Sequence, residues 1–249
     1  MSAAELLVPA SAAFAAGMMN SVAGGGSFLS FPALLVAGVP PISANATNNA
    51  AMWVGTIGSA RGYREEIREH RSLLLPALIA SAVGSLIGAS LLLLTPQALF
   101  VRLIPWLLLF ATLLFAVSPL LTRRTQRAPR HAPWQIAAQF GVAIYGGYFG
   151  AGMGMLMLAV LAFSGLPNLN AQNAIKNVLA VAINGIALVP FVLARIVDWR
   201  FALPMALLAL AGGYCGARLF RRMSQPISRA VVITIGMGMT IVFFARSFW

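Results

Sequence analysis

Charge is scarce in this chain of 249 residues, and acidic charge is scarcest. Five carboxylates stand against 17 Lys and Arg, and all four charged types together make 9% of the residues. A soluble domain carries about 25%. The acids are Glu5, Glu65, Glu66, Glu69 and Asp198, each near the end of an apolar stretch. None lies inside such a stretch, where it could relay protons or hold Na⁺. The two histidines, His70 and His131, sit in basic segments. With no paired carboxylates, no His–Ser or Cys–His set and no metal-ligand spacing, an enzyme is not expected, nor any metal or other cofactor. The one cysteine, Cys215, excludes an internal disulfide and reads as a packing residue beside Gly213 and Gly216.

What fills the chain is apolar. Hydrophobic residues make 60% of it, and mean hydropathy is +0.86. Stretches such as Leu73–Leu94 and Leu99–Leu121 are long enough for a hydrocarbon layer of ~30 Å. A multi-pass membrane protein follows, with the lipid bilayer as its first partner. The first apolar stretch is not expected to be a signal peptide, because Met1–Val8 has no Lys or Arg and includes Glu5.

The net charge of +12 does not point to nucleic acid. It is gathered in three short groups: Arg61, Arg64, Arg68 and Arg71; Arg123, Arg124, Arg127 and Arg130; Arg218, Arg221, Arg222 and Arg229. Such groups between apolar segments read as cytoplasmic anchors.

The chain then repeats itself. Asn45-Ala46-Thr47-Asn48-Asn49 returns 128 positions later (45 to 173) as Asn173-Ala174-Ile175-Lys176-Asn177. Gly24 and Gly26 return as Gly152 and Gly154, and Gly84 and Gly88 as Gly212 and Gly216. Gly38 and Pro40 answer to Gly165 and Pro167, with the register slipped by one. Residues 1–122 form the first repeat, 123–133 a basic linker and 134–249 the second repeat. A duplicated apolar half with a glycine break at the same place in each copy is a pattern of transporters.

The first half reads as helical over Ala4–Val22, Ser27–Ala37, Ser43–Ala60, Leu73–Leu94 and Pro96–Leu121. The second reads as helical over Trp134–Phe149, Met153–Ser164, Asn170–Ala194, Phe201–Phe220 and Pro226–Phe248. At 1.5 Å per residue, the 34 positions of Ala4–Ala37 reach about 50 Å, too long for one span and too short for two. A re-entrant hairpin fits, as does a long tilted helix. Arginine placement favours the hairpin, because only then do all three groups fall on one side. Three full spans per repeat remain, and an odd number inverts the second repeat relative to the first. The expected fold is therefore all-α: two inverted repeats, each a re-entrant broken hairpin plus three transmembrane helices. The alternative is an eight-span parallel duplication.

The breaks are the first candidate site. Ala23-Gly24-Gly25-Gly26-Ser27 precedes a half-helix whose leading N–H groups have no intrahelical partner. Glycines let a ligand approach the backbone, and the helix dipole favours negative charge there. Gly150–Gly154 repeats the device, with Gly152 and Gly154 as candidates, and Asn20 and Ser27 add polarity to the first. Close helix packing is the competing reading. The second candidate is the Asn motif: Asn45, Thr47, Asn48 and Asn49, then Gln172, Asn173, Lys176 and Asn177. Asn45 and Asn49 share a helix face, as do Asn173 and Asn177. Capping and interhelical hydrogen bonding compete with ligand binding here. Lys176 is the chain's single lysine and stands where the first repeat has Asn48. It either neutralises an anion or snorkels to the interface. Asn184 is a further buried polar candidate.

These features resemble the sulfite exporter TauE/SafE family over nearly the whole chain. The likeness rests on the Gly17–Gly26 segment, Phe31-Pro32-Ala33-Leu34, Gly38-Val39-Pro40, Ala44-x-x-Thr47-Asn48 and their return after residue 140. Ala46 and Asn48 stand where the family usually has Gly and Ser, and Ala171–Lys176 departs further. The resemblance implies a carrier of small anions, sulfite or organosulfonates, in a bacterial inner membrane. The alternative is a passive channel or a carrier of a neutral or cationic solute. Oligomeric state, direction and energy source are not legible.

Overall fold

A computed structural model describes residues 3–22, 24–69, 74–122, 133–220 and 225–247. Among these residues the only regular structure is helical. The first repeat holds α1 (Ala3–Val22), α2 (Ser27–Val36), α3 (Pro41–Gly62), α4 (Arg64–Glu69), α5 (Leu74–Leu94) and α6 (Gln97–Thr122). The second holds α7 (Pro133–Tyr148), α8 (Met153–Leu161), α9 (Leu169–Leu193), α10 (Trp199–Phe220) and α11 (Gln225–Ser247). Among the described residues, four helices are long and apolar enough to cross a membrane, with spans at Leu74–Leu94, Gln97–Leu114, Leu169–Leu193 and Trp199–Leu219. Residues 123–132 of the linker, with Arg123, Arg124, Arg127, Arg130 and His131, lie outside the described residues. So do Ala23, His70, Arg71, Arg221, Arg222 and the side chains of Glu5 and Arg229.

Local chemistry sets the boundaries. Pro41 opens α3 at the first helical position, two residues before the expected Ser43, because that position needs no N–H donor. Asn168 caps α9 by accepting from the Ala171 N–H at 2.9 Å. Asp198 accepts from the Arg200 N–H at 3.1 Å, so α10 begins at Trp199 rather than Phe201. The Arg200 guanidinium donates to the same carboxylate and holds it below its ordinary pKa. The arginines after α3 were expected in a plain connection. They build α4 instead, with Glu65 and Glu66 in its first turn and Arg68 in its last, as the helix dipole favours.

Packing directions follow from paired positions. Gly212 meets Phe14 and Gly216 meets Met18, so α1 and α10 run parallel. Gly84 meets Phe140 and Gly88 meets Ile144, so α5 and α7 run parallel as well. These four glycines act as small-residue ridges for close backbone contact. Each repeat's first helix thus lies against the other repeat. The matched helices α3 and α9 run antiparallel. Ser43 at the start of α3 donates to the Ile196 carbonyl beyond the end of α9, at 2.7 Å. Tyr63 after α3 packs with Ala174 near the start of α9. Helices α6 and α11 are antiparallel too: Trp106 contacts Phe244, and Gly236 lies against Thr112.

Each break turns the chain back. Gly26 packs against Ala16, and Ser30 donates to the Asn48 side chain at 2.5 Å. So α2 returns beside α1 toward the end where α3 begins. Arg61, Arg64, Arg68 and Arg218 collect at one end of the bundle, where α3 and α10 finish. Arg195 and the Asp198–Arg200 pair lie at the other.

Candidate functional site

The two breaks touch. Gly24 has φ of +79°, and its counterpart Gly152 has the same value, a region L side chains rarely adopt. A Cβ on Gly24 would run into the Gly154 backbone, and one on Gly154 into Gly24. Backbone therefore meets backbone where the hairpins converge, at the level of Met52 on α3 and Ala180 on α9.

A cavity opens beside this contact. It has about 20 Å³ of room for the centres of water molecules, and one water needs ~10–15 Å³. Its wall includes Asn20, Gly24 and Ser27 from the first break, Phe149, Gly150, Met153 and Gly154 from the second. Asn48, Asn49, Met52 and Thr56 come from α3, and Lys176, Asn177, Ala180 and Asn184 from α9.

Lys176 does not snorkel. It is 1% exposed, and its ammonium donates to the Asn20 carbonyl at 2.6 Å and the Asn173 side chain at 2.9 Å. Asn20 lies in the last turn of α1, where unpaired carbonyls and the helix dipole favour a cation. The second break has a neutral counterpart. Asn45 donates to the Tyr148 carbonyl, at the end of α7, at 3.1 Å. In each case a donor from the other repeat caps the first half-helix of the hairpin. One cap is charged and the other is not.

Several candidates are brought together and others are not. Asn20, Gly24, Ser27, Asn48, Asn49, Gly154, Lys176 and Asn177 line the cavity. Asn45 and Asn173 do not: Asn45 donates to the Tyr148 carbonyl, and the Asn173 side-chain oxygen accepts from Lys176. Thr47 faces away and accepts from the Asp198 N–H at 2.9 Å, holding the α9–α10 connection. Gly25, Gly26 and Gly152 shape the breaks without reaching the wall, and the Gly26 N–H is taken by the Asn20 side chain at 2.8 Å. Thr56 was not anticipated. It lies seven positions beyond Asn49, and Asn184 seven beyond Asn177, so helical spacing alone could have extended both faces. Phe149 and Gly150 were missed as wall residues because the break was read for its donors rather than its walls.

Asn49 donates to the Asn184 side chain at 3.2 Å, and Asn177 Nδ2 faces the Ser21 carbonyl at 3.5 Å. Among the described residues the wall carries one charged side chain, Lys176. A second basin, of about 140 Å³, lies at the arginine-rich end, lined by Arg61, Arg64, Glu65, Tyr214 and Arg218.

The profile of the family described as Sulfite exporter TauE/SafE matches residues 10–243. Similar curated proteins include the "Probable membrane transporter protein ORF9" of a Sinorhizobium species, 28% identical over 92% of this chain and 88% of its own length. A "Probable membrane transporter protein" of Haemophilus influenzae is 27% identical over 91% and 89%. The "Probable membrane transporter protein YfcA" of Escherichia coli K12 is 28% identical over 92% and 85%. No solved structure matches significantly.

Proposed function

This chain belongs to the sulfite exporter TauE/SafE family, and from that premise we propose that it is a secondary transporter exporting a small anion. The anion is sulfite or resembles an organosulfonate, and it binds where the two glycine breaks meet. The protein works in a bacterial inner membrane as two inverted repeats. The antiparallel course of α3 and α9 supports the inversion, and the arginines at one end support a cytoplasmic assignment for that end. The family and the relatives' names point to transport rather than to catalysis.

Lys176 is the observation that carries the reading. It is a buried cation on a cavity wall that, among the described residues, carries no carboxylate. A buried cation is costly unless it is paired, and its two partners here are neutral oxygens. An anion in the cavity supplies the missing charge. The arginine-lined basin adds a positive field at the end of the bundle assigned to the cytoplasm, which favours anions there.

The test is flux in proteoliposomes of the purified protein, with sulfite, sulfonates, sulfate and carboxylates offered in turn. Saturable uptake of at least one anion, blocked by competing anions, is expected. Unsaturable flux, or flux of neutral and cationic solutes alone, would overturn the reading.

A further inference from the structure

We propose that the arginine-lined basin binds the phosphate of an anionic phospholipid, whose chains lie in the furrow between α3 and α10 on the outside of the bundle. The site is separate from the cavity between the breaks, and it holds whichever solute is carried.

Three helices converge on the basin. Arg61 lies in the last turn of α3, Arg64 opens α4 and Arg218 lies in the last turn of α10. Anchoring a helix end needs arginines there, but not around a common space. Glu65 is the one carboxylate among the described residues of the wall, so two positive charges stay uncompensated. No ion pair among the described residues joins any of the three guanidiniums to a carboxylate. The basin has about 140 Å³ of room for the centres of water molecules, enough for roughly ten waters at ~10–15 Å³ each. A phosphate group fits with water to spare. The Arg218 guanidinium lies 4.7 Å from the centroid of the Tyr214 ring. Stacking holds it by its face and leaves its N–H edge free, the edge that pairs with phosphate oxygens two at a time.

Depth decides between a lipid and a soluble anion. The apolar span of α10 runs to Leu219, so Arg218 stands where the hydrocarbon ends. Tyr214 lies one turn inside it, as interfacial aromatics do. Lipid phosphates lie at that level. Inward from the basin the surface is apolar. Leu203, Leu207, Leu210, Tyr214 and Arg218 recur at three or four positions along one exposed face of α10. Ile57 and Arg61 do the same on α3. Gly58 packs against the Leu210 backbone and Gly62 against Ala217, so the two exposed rows border one furrow that leads to the arginines. From Leu203 to Arg218 the row is about 22 Å long at 1.5 Å per residue, more than the ~15 Å of hydrocarbon in one leaflet. A free phosphate would use the basin and nothing of the furrow. A zwitterionic lipid would bring its own cation against the guanidiniums.

Each arginine near a membrane surface adds about fivefold to the binding of anionic lipid, so two uncompensated guanidiniums give about 25-fold. Purified full-length protein in neutral detergent is titrated with phosphatidylglycerol and with phosphatidylcholine of the same chains. Apparent affinity is read from the rise in melting temperature. Phosphatidylglycerol is expected to bind about 25-fold tighter. Arg61→Gln combined with Arg218→Gln should bring the two lipids toward equality, whereas Arg195→Gln, at the other end of the bundle, should leave the preference unchanged. Glycerophosphoglycerol, the same headgroup without chains, should bind far more weakly than the lipid. Equal affinities for the two lipids in the unaltered protein overturn the inference with no variant needed. So does glycerophosphoglycerol binding as tightly as phosphatidylglycerol, which makes the basin a site for a soluble phosphate. A preference that survives the double substitution overturns it too, because charge elsewhere on the protein then suffices. None of these outcomes bears on the central cavity, which the flux measurement tests.

Discussion

Lys176 is tolerated in the interior because the end of α1 supplies a carbonyl for it, and that arrangement makes separable predictions. In Lys176→Gln an amide N–H can still reach the Asn20 carbonyl, so folding should be nearly intact. The matching position already holds a neutral amide, Asn48. Anion binding should weaken by ~1.5–3 kcal/mol, the range for a hydrogen bond to a charged group. Lys176→Arg should restore the charge but not the full affinity, since the planar guanidinium is larger and places its donors differently from the ammonium that bonds Asn20 and Asn173. Melting temperature and anion affinity, measured on the same samples, check both. Unchanged affinity in folded Lys176→Gln would remove the lysine from the site. Sequence made this residue conspicuous, as the single lysine within an apolar helix. It could not decide between anion binding and snorkelling, because that depends on the neighbouring turn of α1, 156 positions away in the chain. Thr47 shows the opposite failure. It belongs to the motif, yet its hydroxyl serves the α9–α10 connection. Motif membership says which residues travel together, and only the helix face says which way each one points.

The broken hairpins are positioned by glycines whose roles differ, and two substitutions separate them. Gly24 and Gly38 have nearly the same backbone angle, φ +79° and +83°. Around Gly24 a Cβ meets the Gly154 and Met155 backbone, whereas around Gly38 nothing lies within 4 Å. Gly38→Ala should therefore cost only conformational strain, about 1–2 kcal/mol. Gly24→Ala adds a backbone collision and should cost about 2–5 kcal/mol in all, and anion binding with it. Thermal unfolding of the purified variants reads the difference. Equal losses would mean that the two breaks do not depend on touching. The glycines were legible as breaks because they interrupt an apolar helical stretch at the same place in each half, with close packing as the competing reading. Their contact across the repeats was not, since no local pattern states which distant backbone a glycine admits. Helix α4 was missed for a different reason. Its six residues are too few for hydrophobic periodicity, and only the order of its charges, acids first and Arg68 last, signals it.

At the scale of the molecule, the repeat was plain in the sequence and its orientation was only inferred from arginines. The 128-residue offset is the same whether the halves are parallel or inverted, so the repeat alone cannot choose. The direction of packing bears on the choice. Matched helices α3 and α9 are neighbours and run antiparallel, as do α6 and α11. In the inverted arrangement proposed above, a two-fold axis in the membrane plane would relate such pairs. On that proposal, matched residues just past the two hairpins are expected to face opposite sides. Pro40 and Pro167 are such a pair, both exposed, each in the short connection after a half-helix. In a Cys215→Ala background, Pro40→Cys and Pro167→Cys should react with a membrane-impermeant maleimide from opposite faces of oriented vesicles. The arginine-rich end holds the start of α9 and the end of α3, so Pro167 is expected on the cytoplasmic side and Pro40 on the external side. An eight-span parallel duplication places both on the same side. Labelling of both from one face would discard the inverted arrangement, and with it the reading of the cavity as a midplane site between two opposed hairpins.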